Sequence, residues 1–196
     1  MQGYLAALTI VLLVGMVLTR VILMRRTGTR AVHFGRIDKA DFLIPPFALF
    51  YFYTVFAAAF NLPIVSTQRV FHSEVISWVG VSLCFVGLTL FLLSLVSFGR
   101  SFRVGIDIDH PDQLVTTGVF AFSRNPMYVA VGFVLLGQFL VFPNWIVLVY
   151  LAAGMWLVHR QVLREEAFLR EQYGQAYAEY CHRVRRYLGV RRRVCA

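Results

Sequence analysis

The chain has 196 residues, of which 59% are hydrophobic and only 15% are charged, and its mean hydropathy is +0.67. So little polar surface cannot cover a globule in water, which excludes an ordinary soluble domain and predicts an integral membrane protein. The net charge of +9 would suggest nucleic-acid binding in a soluble protein, but here the basic residues lie between apolar runs, where they meet anionic lipid headgroups, so we expect no nucleic-acid partner.

Five apolar runs predict an all-α membrane protein with about five transmembrane helices. The first, Leu5 to Met24, is long enough to cross a hydrocarbon core of about 30 Å. The second, Phe42 to Phe60, carries aromatic side chains that are most simply lipid-facing and packing residues. The third extends from Val75 to Phe98. Small residues in this third run, which could allow close helix approach, are Gly80, Ser82 and Gly87.

The fourth and fifth runs predict a tight helical hairpin. Met127 to Phe142 is only about sixteen residues long, and a Pro-Asn turn breaks it before Trp145 to Val158 turns back. We expect the returning helix to continue beyond the membrane as a charged segment from His159 to about Gly174. A further short interfacial helix is expected over Tyr177 to Tyr187.

The distribution of lysine and arginine predicts the orientation of the chain. The first loop, the third loop and the C-terminal segment carry nearly all the basic residues outside the helices, whereas the opposite side has only Arg69. With an odd number of spans, the positive-inside rule places the N-terminus outside and the C-terminus in the cytoplasm. We expect one membrane domain over residues 1–196, in which residues 1–98 form a three-helix scaffold.

Charged residues adjoin both ends of the predicted hairpin. Arg124, Glu165 and Glu166 lie next to apolar helices, where an ionised group is costly unless it is paired or functional. Adjacent glutamates on a helix point about 100° apart, so one could pair with Arg124 while the other faces solvent or a ligand. Arg160 and Arg164 share a face of the same helix, as they would on a solvated interfacial helix. The histidines and cysteines show no metal-ligand spacing, so no metal is expected.

Five short motifs follow one another in the second half of the chain. They are Leu114-Val-Thr-Thr-Gly-Val-Phe120, Ser123-Arg-Asn-Pro-Met-Tyr128, Pro143-Asn-Trp145, Glu165-Glu166-x-x-Leu169 and Tyr173-Gly-x-x-Tyr177-x-x-Tyr180. This ordered set resembles the isoprenylcysteine carboxyl methyltransferase family of integral membrane enzymes, and phospholipid methyltransferases are similar in the same segments. The family pattern Arg-His-Pro-x-Tyr occurs here with Asn125 in place of histidine. An amide can donate hydrogen bonds but cannot shuttle a proton.

The resemblance implies S-adenosylmethionine as the cofactor and residues 99–190 as the cofactor-binding catalytic half. Guanidinium or amide donors for its carboxylate would come from Arg124 and Asn125, and a carboxylate for its ammonium or ribose from Glu165 or Glu166. Its adenine would lie against Phe120, Tyr128 and Leu169. The implied cofactor-binding residues are Gln113, Leu114, Val115, Gly118, Phe120, Arg124, Asn125, Pro126, Tyr128, Glu165, Glu166 and Leu169.

The resemblance further implies methyl transfer to a lipophilic acceptor, a small molecule or a prenylated cysteine, in contact with membrane lipids. A carboxylate acceptor is already ionised and needs only a cation such as Arg160 or Arg164. An ammonium acceptor needs a base, for which His159, Glu165 and Glu166 are the nearby candidates. Carboxyl methylation in a bacterial inner membrane is therefore expected. Phospholipid amine N-methylation and a non-catalytic structural or regulatory protein are the alternatives. Sterol reductases resemble the C-terminal half, but their more numerous spans argue against that class.

Overall fold

The protein is all-helical in the computed structural model, which describes residues 1–26, 44–60, 62, 70–98 and 114–190. The five α-helices in these ranges are α1 (Gln2–Arg26), α2 (Ile44–Ala59), α3 (Glu74–Phe98), α4 (Pro126–Val141) and α5 (Trp145–Arg183). A 3-10 turn, Gly118–Ala121, precedes α4. The predicted all-α class is confirmed. Most of the first loop, the acidic segment after α3 and the C-terminal arginines, Arg191 to Arg193, lie outside the described residues.

The helices fall into two length classes. Within the described ranges, α1, α3 and α5 are long and apolar enough to cross a membrane. α2 and α4 are apolar but have 16 residues each, a length of about 24 Å. α5 has 39 residues, about twice the 20 or so that a helix needs to cross a hydrocarbon core of about 30 Å.

The most extensive helix contact joins α3 to α4. A Cβ atom on Gly137 of α4 would lie 2.6 Å from the carbonyl oxygen of Gly80 and 2.6 Å from Sγ of Cys84. Only glycine permits this approach, and close backbone packing of this kind associates helices where lipid removes the hydrophobic driving force. Gly87 makes a similar contact with the backbone of α4. Ser82, expected at the same contact, is exposed and donates to a carbonyl of its own helix.

A buried amide ties α4 to α1. Nε2 of Gln138, a fully buried residue, donates to the carbonyl oxygen of Ala6 at 2.7 Å and to Oγ1 of Thr9 at 3.1 Å. Polar contacts in an apolar interior are strongly directional. This link therefore sets the register of the N-terminal helix against the hairpin.

The long helix α5 is interrupted at Gly174. Its φ of +47° and ψ of −118° lie outside the helical region, in a conformation that L-residues with a Cβ adopt with strain. Beyond the break, Tyr177 and Tyr180 are buried in a small cluster with Val184. Gly174 therefore redirects the end of α5 towards the rest of the molecule.

Residues 184–190, which we call the C-terminal strap, follow α5 and are not helical. Val184 and Val190 form an isolated antiparallel bridge, and the amide of Arg185 donates to the carbonyl oxygen of Gly189 at 2.9 Å. The interfacial helix expected over Tyr177 to Tyr187 therefore ends at Arg183, and its last residues belong to the strap instead.

Candidate active site

The start of α4 and the second half of α5 meet at one end of the molecule. Asn125 is the N-terminal cap residue of α4, and Pro126 occupies the first turn, where its missing amide hydrogen costs nothing. The carbonyl oxygen of Asn125 accepts from the amides of Tyr128 and Val129. This local structure fixes the two polar residues of the motif, Arg124 and Asn125, beside α5.

Glu166 is the charge centre of this region, and its side chain is only 4% exposed. Oε1 accepts from Nδ2 of Asn125 at 3.1 Å and lies 3.3 Å from Nη2 of Arg124. Oε2 accepts from both Nε and Nη2 of Arg186, each at 2.9 Å. A buried carboxylate is tolerated when it is paired and hydrogen-bonded in this way. Glu166 therefore joins three segments: the start of α4, α5 and the strap.

Arg124 is the second member of this cluster, with a side chain 9% exposed. One terminal nitrogen, Nη1, contacts Sγ of Cys181, and the guanidinium lies over the Tyr177 ring at 6.0 Å. Its third nitrogen, Nε, is buried and has no hydrogen-bond partner in the described part of the chain. A buried donor without an acceptor is rare and marks a position that a ligand could satisfy.

Glu165 faces a different environment from its neighbour. Its Oε1 accepts from the hydroxyl of Tyr128 and from Nε2 of Gln161, the latter at 3.1 Å. No cation pairs with Glu165 among the residues that the structure describes. The two glutamates therefore diverge, Glu166 to arginines and Glu165 to neutral donors, as their angular separation on a helix requires.

An apolar cavity of about 270 Å³ lies between α1, α2, α4 and α5. Its lining is almost entirely apolar and includes Ile10, Leu13, Tyr51, Phe52, Val131, Leu135 and Leu157. Tyr128, in the first turn of α4, and Gln161, on α5, also line it. Because these two residues are the donors to Glu165, one end of the cavity lies beside Glu165.

The loop before α4 and the end of α5 form an aromatic wall. The Phe120 ring packs edge-on against Phe98 with centroids 4.6 Å apart, and its carbonyl oxygen accepts from the Tyr180 hydroxyl at 2.7 Å. Burial raises the pKa of Tyr180, so this hydroxyl stays protonated and donates. Leu114 and Leu169 pack against the cluster of Tyr177, Tyr180 and Val184. The structure thus brings together three residues expected at the cofactor, Leu114, Phe120 and Leu169.

Comparison with known proteins places the chain in a family. The family model described as phospholipid methyltransferase matches residues 75–176, just over half of the chain. The chain belongs to the phospholipid methyltransferase family. Curated proteins named probable protein-S-isoprenylcysteine O-methyltransferase, from Oryza sativa subsp. indica and subsp. japonica, are each 31% identical over 112 residues, which cover 56% of this chain and 59% of the relative.

A third curated relative is protein-S-isoprenylcysteine O-methyltransferase B of Arabidopsis thaliana. It is 31% identical over 114 residues, covering 56% of this chain and 57% of the relative. The chain therefore spans somewhat more than half the length of the curated relatives it matches. The predicted family resemblance is confirmed.

The other predicted site residues of this family member are placed as follows. Pro126 is buried, Val115 is half-buried and Gly118 is exposed at the start of the 3-10 turn. Arg160 lies over the Trp156 ring at 5.7 Å, and Arg164 is half-buried on α5. Gln113 lies outside the described residues. In the described ranges, no group of three histidine, cysteine, aspartate or glutamate side chains could hold a metal ion. The roles assigned to these residues remain predictions.

Several residues of the site were not expected from the sequence. Gln161 could have been found, because glutamine and glutamate at i and i+4 on a helix are neighbours. Arg186 and Cys181 carry no comparable signal, because the strap and the helix break bring them to Arg124 and Glu166. The aromatic residues Tyr51 and Phe52 were expected to pack or face lipid; they pack in a core cluster, and they also line the cavity.

Proposed function

We propose that the chain transfers a methyl group from S-adenosylmethionine to a lipophilic acceptor at the membrane interface. One observation carries the proposal: the Tyr128 hydroxyl donates to Glu165 while the Tyr128 residue also lines the apolar cavity. Tyr128 and Gln161 therefore connect the apolar cavity to Glu165, the neighbour of Glu166, as a reaction between a polar methyl donor and a lipid-soluble acceptor requires. Membership of a methyltransferase family supports the same reaction.

The residues around Arg124 fit a cofactor that carries a carboxylate. Arg124 Nε is a buried donor without a partner, and the Tyr177 hydroxyl, beside the Cys181 thiol, likewise lacks a hydrogen bond of acceptable geometry within the described residues. A carboxylate is an acceptor that suits either donor, and a bond to the arginine would be strengthened by charge. Phe120 and Leu169 offer apolar surface for adenine. When bound, S-adenosylmethionine supplies an electrophilic methyl group on a positively charged sulfur.

The apolar cavity is the proposed binding site for the hydrocarbon chain of the acceptor. It is lined from residues 1–98 as well as from α4 and α5, so the N-terminal helices would act as one wall of the acceptor site and not only as a scaffold. The catalytic half proposed for residues 99–190 would supply the polar groups. Methyl transfer is an in-line displacement, so the chain's task is to align the two reactants and exclude water.

We infer that the acceptor group is a carboxylate of the isoprenylcysteine kind. The curated relatives are named for O-methylation of protein-S-isoprenylcysteine. A carboxylate is ionised at neutral pH and needs no general base, only a cation to hold it, for which Arg160 and Arg164 on α5 are the candidates. Prenylated cysteine combines that carboxylate with a chain suited to the cavity.

The proposed topology has five crossings, with the N-terminus outside and the site in the cytoplasm. α2 and α4 would then cross despite having 16 residues each, which a thinned bilayer or snorkelling end residues accommodate at modest cost. The basic residues flanking the helices support this orientation. The site would then face the compartment in which S-adenosylmethionine is made.

Binding of the proposed methyl donor is measured by calorimetry on the purified chain in detergent. S-adenosylmethionine is titrated first, and reduced nicotinamide dinucleotide phosphate serves as the comparison cofactor. We expect saturable heat with S-adenosylmethionine alone, and Arg124→Ala to weaken it by about tenfold or more, because a charge-assisted contact is lost. Absence of binding by the unmodified chain would refute the proposal.

The acceptor is tested with labelled S-adenosylmethionine and two candidate acceptors, an S-farnesylcysteine derivative and phosphatidylethanolamine vesicles. We expect label in the first. Val131→Trp, which fills the cavity, should raise the acceptor KM by about tenfold or more without changing donor affinity. Leu136→Trp is the matched control, because Leu136 lies on the same helix and is 40% exposed. Transfer to phosphatidylethanolamine instead would replace the carboxylate by an amine acceptor.

A further inference from the structure

We propose that Asn125 is a positioning residue. Its side-chain amide, which we call the clasp, holds the C-terminal strap against the proposed S-adenosylmethionine site. Its side-chain Nδ2 donates to Oε1 of Glu166 at 3.1 Å and to the carbonyl oxygen of Arg186 at 3.1 Å. Asn125 is only 7% exposed. The inference rests on the proposed function, because the site it positions is the proposed cofactor site.

The clasp depends on the chemistry of a primary amide. A single amide nitrogen carries two hydrogens, and at Asn125 each hydrogen has its own acceptor. A ring nitrogen of histidine carries at most one hydrogen, and a carboxylate oxygen of ionised aspartate carries none. The asparagine that stands in place of the family's histidine therefore makes a double contact that an imidazole nitrogen in the same place cannot make.

Other contacts hold the strap across the ends of α4 and α5. The amide of Arg124 donates to the carbonyl oxygen of Arg185 at 3.1 Å, and the amide of Gly189 donates to that of Phe122 at 2.9 Å. The Tyr187 hydroxyl contacts Nδ1 of His159. The Asn125 amide adds a buried side-chain contact at the residue between these anchors, and that residue, Arg186, is the one that pairs with Glu166.

This position gives Asn125 an indirect effect on Arg124. While the strap is docked, Arg186 occupies Oε2 of Glu166 and Arg124 lies at Oε1. If the strap were released, Glu166 would keep only Arg124 as a cationic partner among these contacts, and the guanidinium would be drawn more fully into that ion pair. Arg124 would then be less available to the carboxylate of S-adenosylmethionine.

The test measures hydrogen exchange of the strap and donor affinity on the full chain in detergent. Asn125→His, Asn125→Ala and Asn125→Asp are compared with the unmodified chain. The probes are the Arg185 and Gly189 amides, read from peptides covering residues 184–190, and S-adenosylmethionine titrated by calorimetry. Asn144→Ala is the matched control, because Asn144 is also a buried asparagine, capping α5 at the opposite end of the hairpin.

Loss of one contact should raise strap exchange by roughly tenfold in Asn125→His, and loss of both by roughly a hundredfold in Asn125→Ala. Asn125→Asp should exchange faster still, because it places a carboxylate against Glu166. Affinity for S-adenosylmethionine should fall in the same order. Asn144→Ala should change neither the strap exchange nor this affinity.

Strap exchange in Asn125→His equal to that of the unmodified chain would overturn the two-hydrogen argument. Faster exchange with unchanged donor affinity would overturn the positioning role and leave a structural one. Failure of the unmodified chain to bind S-adenosylmethionine would refute the proposed function and, with it, a role in positioning that donor. The exchange data would still decide whether the clasp exists.

Discussion

Glu165 and Glu166 are adjacent in the sequence but belong to different environments. Glu166 is paired with Arg124 and Arg186, whereas Glu165 accepts from the neutral groups of Tyr128 and Gln161. Removing the charge of Glu166 takes a partner from two arginines, of which Arg124 is buried, whereas removing the charge of Glu165 leaves both of its neutral donors with an acceptor oxygen. The two residues therefore offer a matched comparison.

We predict that Glu166→Gln lowers the free energy of unfolding by about 2–4 kcal/mol, because breaking a buried ion pair leaves its partner uncompensated. Partial exposure of Arg186, at 38%, keeps the value below that of a fully buried pair. Glu165→Gln should cost less than about 1 kcal/mol, because an amide oxygen still accepts from both neutral donors. Denaturant titration in micelles measures both. Equal losses in the two variants would show that the paired environment does not control stability.

For individual residues, the sequence predicted part of the site. The cost of a charge next to an apolar helix indicated that one of the two glutamates could pair with Arg124. It could not identify which glutamate, because both follow the same apolar face. It also could not place Arg186 or Cys181, which reach the site only after the chain folds back.

Among the helices, α3 and α4 are joined most closely, at glycine residues where the two backbones approach each other. We predict that Gly137→Ala destabilises the protein by about 1–3 kcal/mol, because the new Cβ would lie 2.6 Å from backbone and from Cys84. Gly15→Ala on α1 is the control, since a Cβ there meets nothing within 4 Å, and it should be neutral or slightly stabilising. Thermal unfolding in detergent compares them. Similar melting temperatures for the two variants would contradict close packing at Gly137.

The helix break at Gly174 is expected to require glycine. Gly174→Ala should cost about 1–2 kcal/mol, because alanine is strained at a φ of +47°. It should also weaken binding of S-adenosylmethionine, since Tyr177 and Tyr180 reach the site through this break. Gln175→Ala, at an exposed helical position, serves as the control. Unchanged stability and donor affinity in Gly174→Ala would show that the helix continues straight without penalty.

The apolar runs predicted the helices well where length and hydropathy dominate. The run from Val75 to Phe98 corresponds to α3 (Glu74–Phe98), and the run beginning at Met127 corresponds to α4 (Pro126–Val141). A lipid-exposed segment needs apolar side chains and backbone hydrogen bonds satisfied within the segment, so the local sequence is enough to predict such helices. The strap was not predicted, because the hydrogen bonds that dock it beside the start of α4 join residues about 60 positions apart.

Across the whole molecule, the cavity is a joint product of four helices. Ile10 and Leu13 come from α1, Tyr51 and Phe52 from α2, and the other walls from α4 and α5. No single run indicates a cavity, because the same residues would suit lipid contact equally well. The cavity exists because α1 and α2 stand against the hairpin, partly through the Gln138 link.

The proposed orientation is a prediction about the whole chain. A fluorescent protein fused to the C-terminus should fluoresce, because that end is expected in the cytoplasm. A periplasmic phosphatase fused at the same point should be inactive in a bacterial host, and active when fused at the N-terminal side. Expression levels measured by immunoblot provide the control. An active C-terminal phosphatase fusion would invert the topology and remove the site from the cytoplasm.

The sequence by itself determined the membrane environment, the positions of the helices and the family, because these depend on local hydropathy and on short motifs. Tertiary structure alone decided which glutamate meets the arginines, where the cavity ends and how Asn125 is used. Those features depend on side chains far apart in the chain and on the angles at which helices pack. One letter in a motif, Asn125, thus acquires its meaning from the carbonyl of Arg186 and the carboxylate of Glu166.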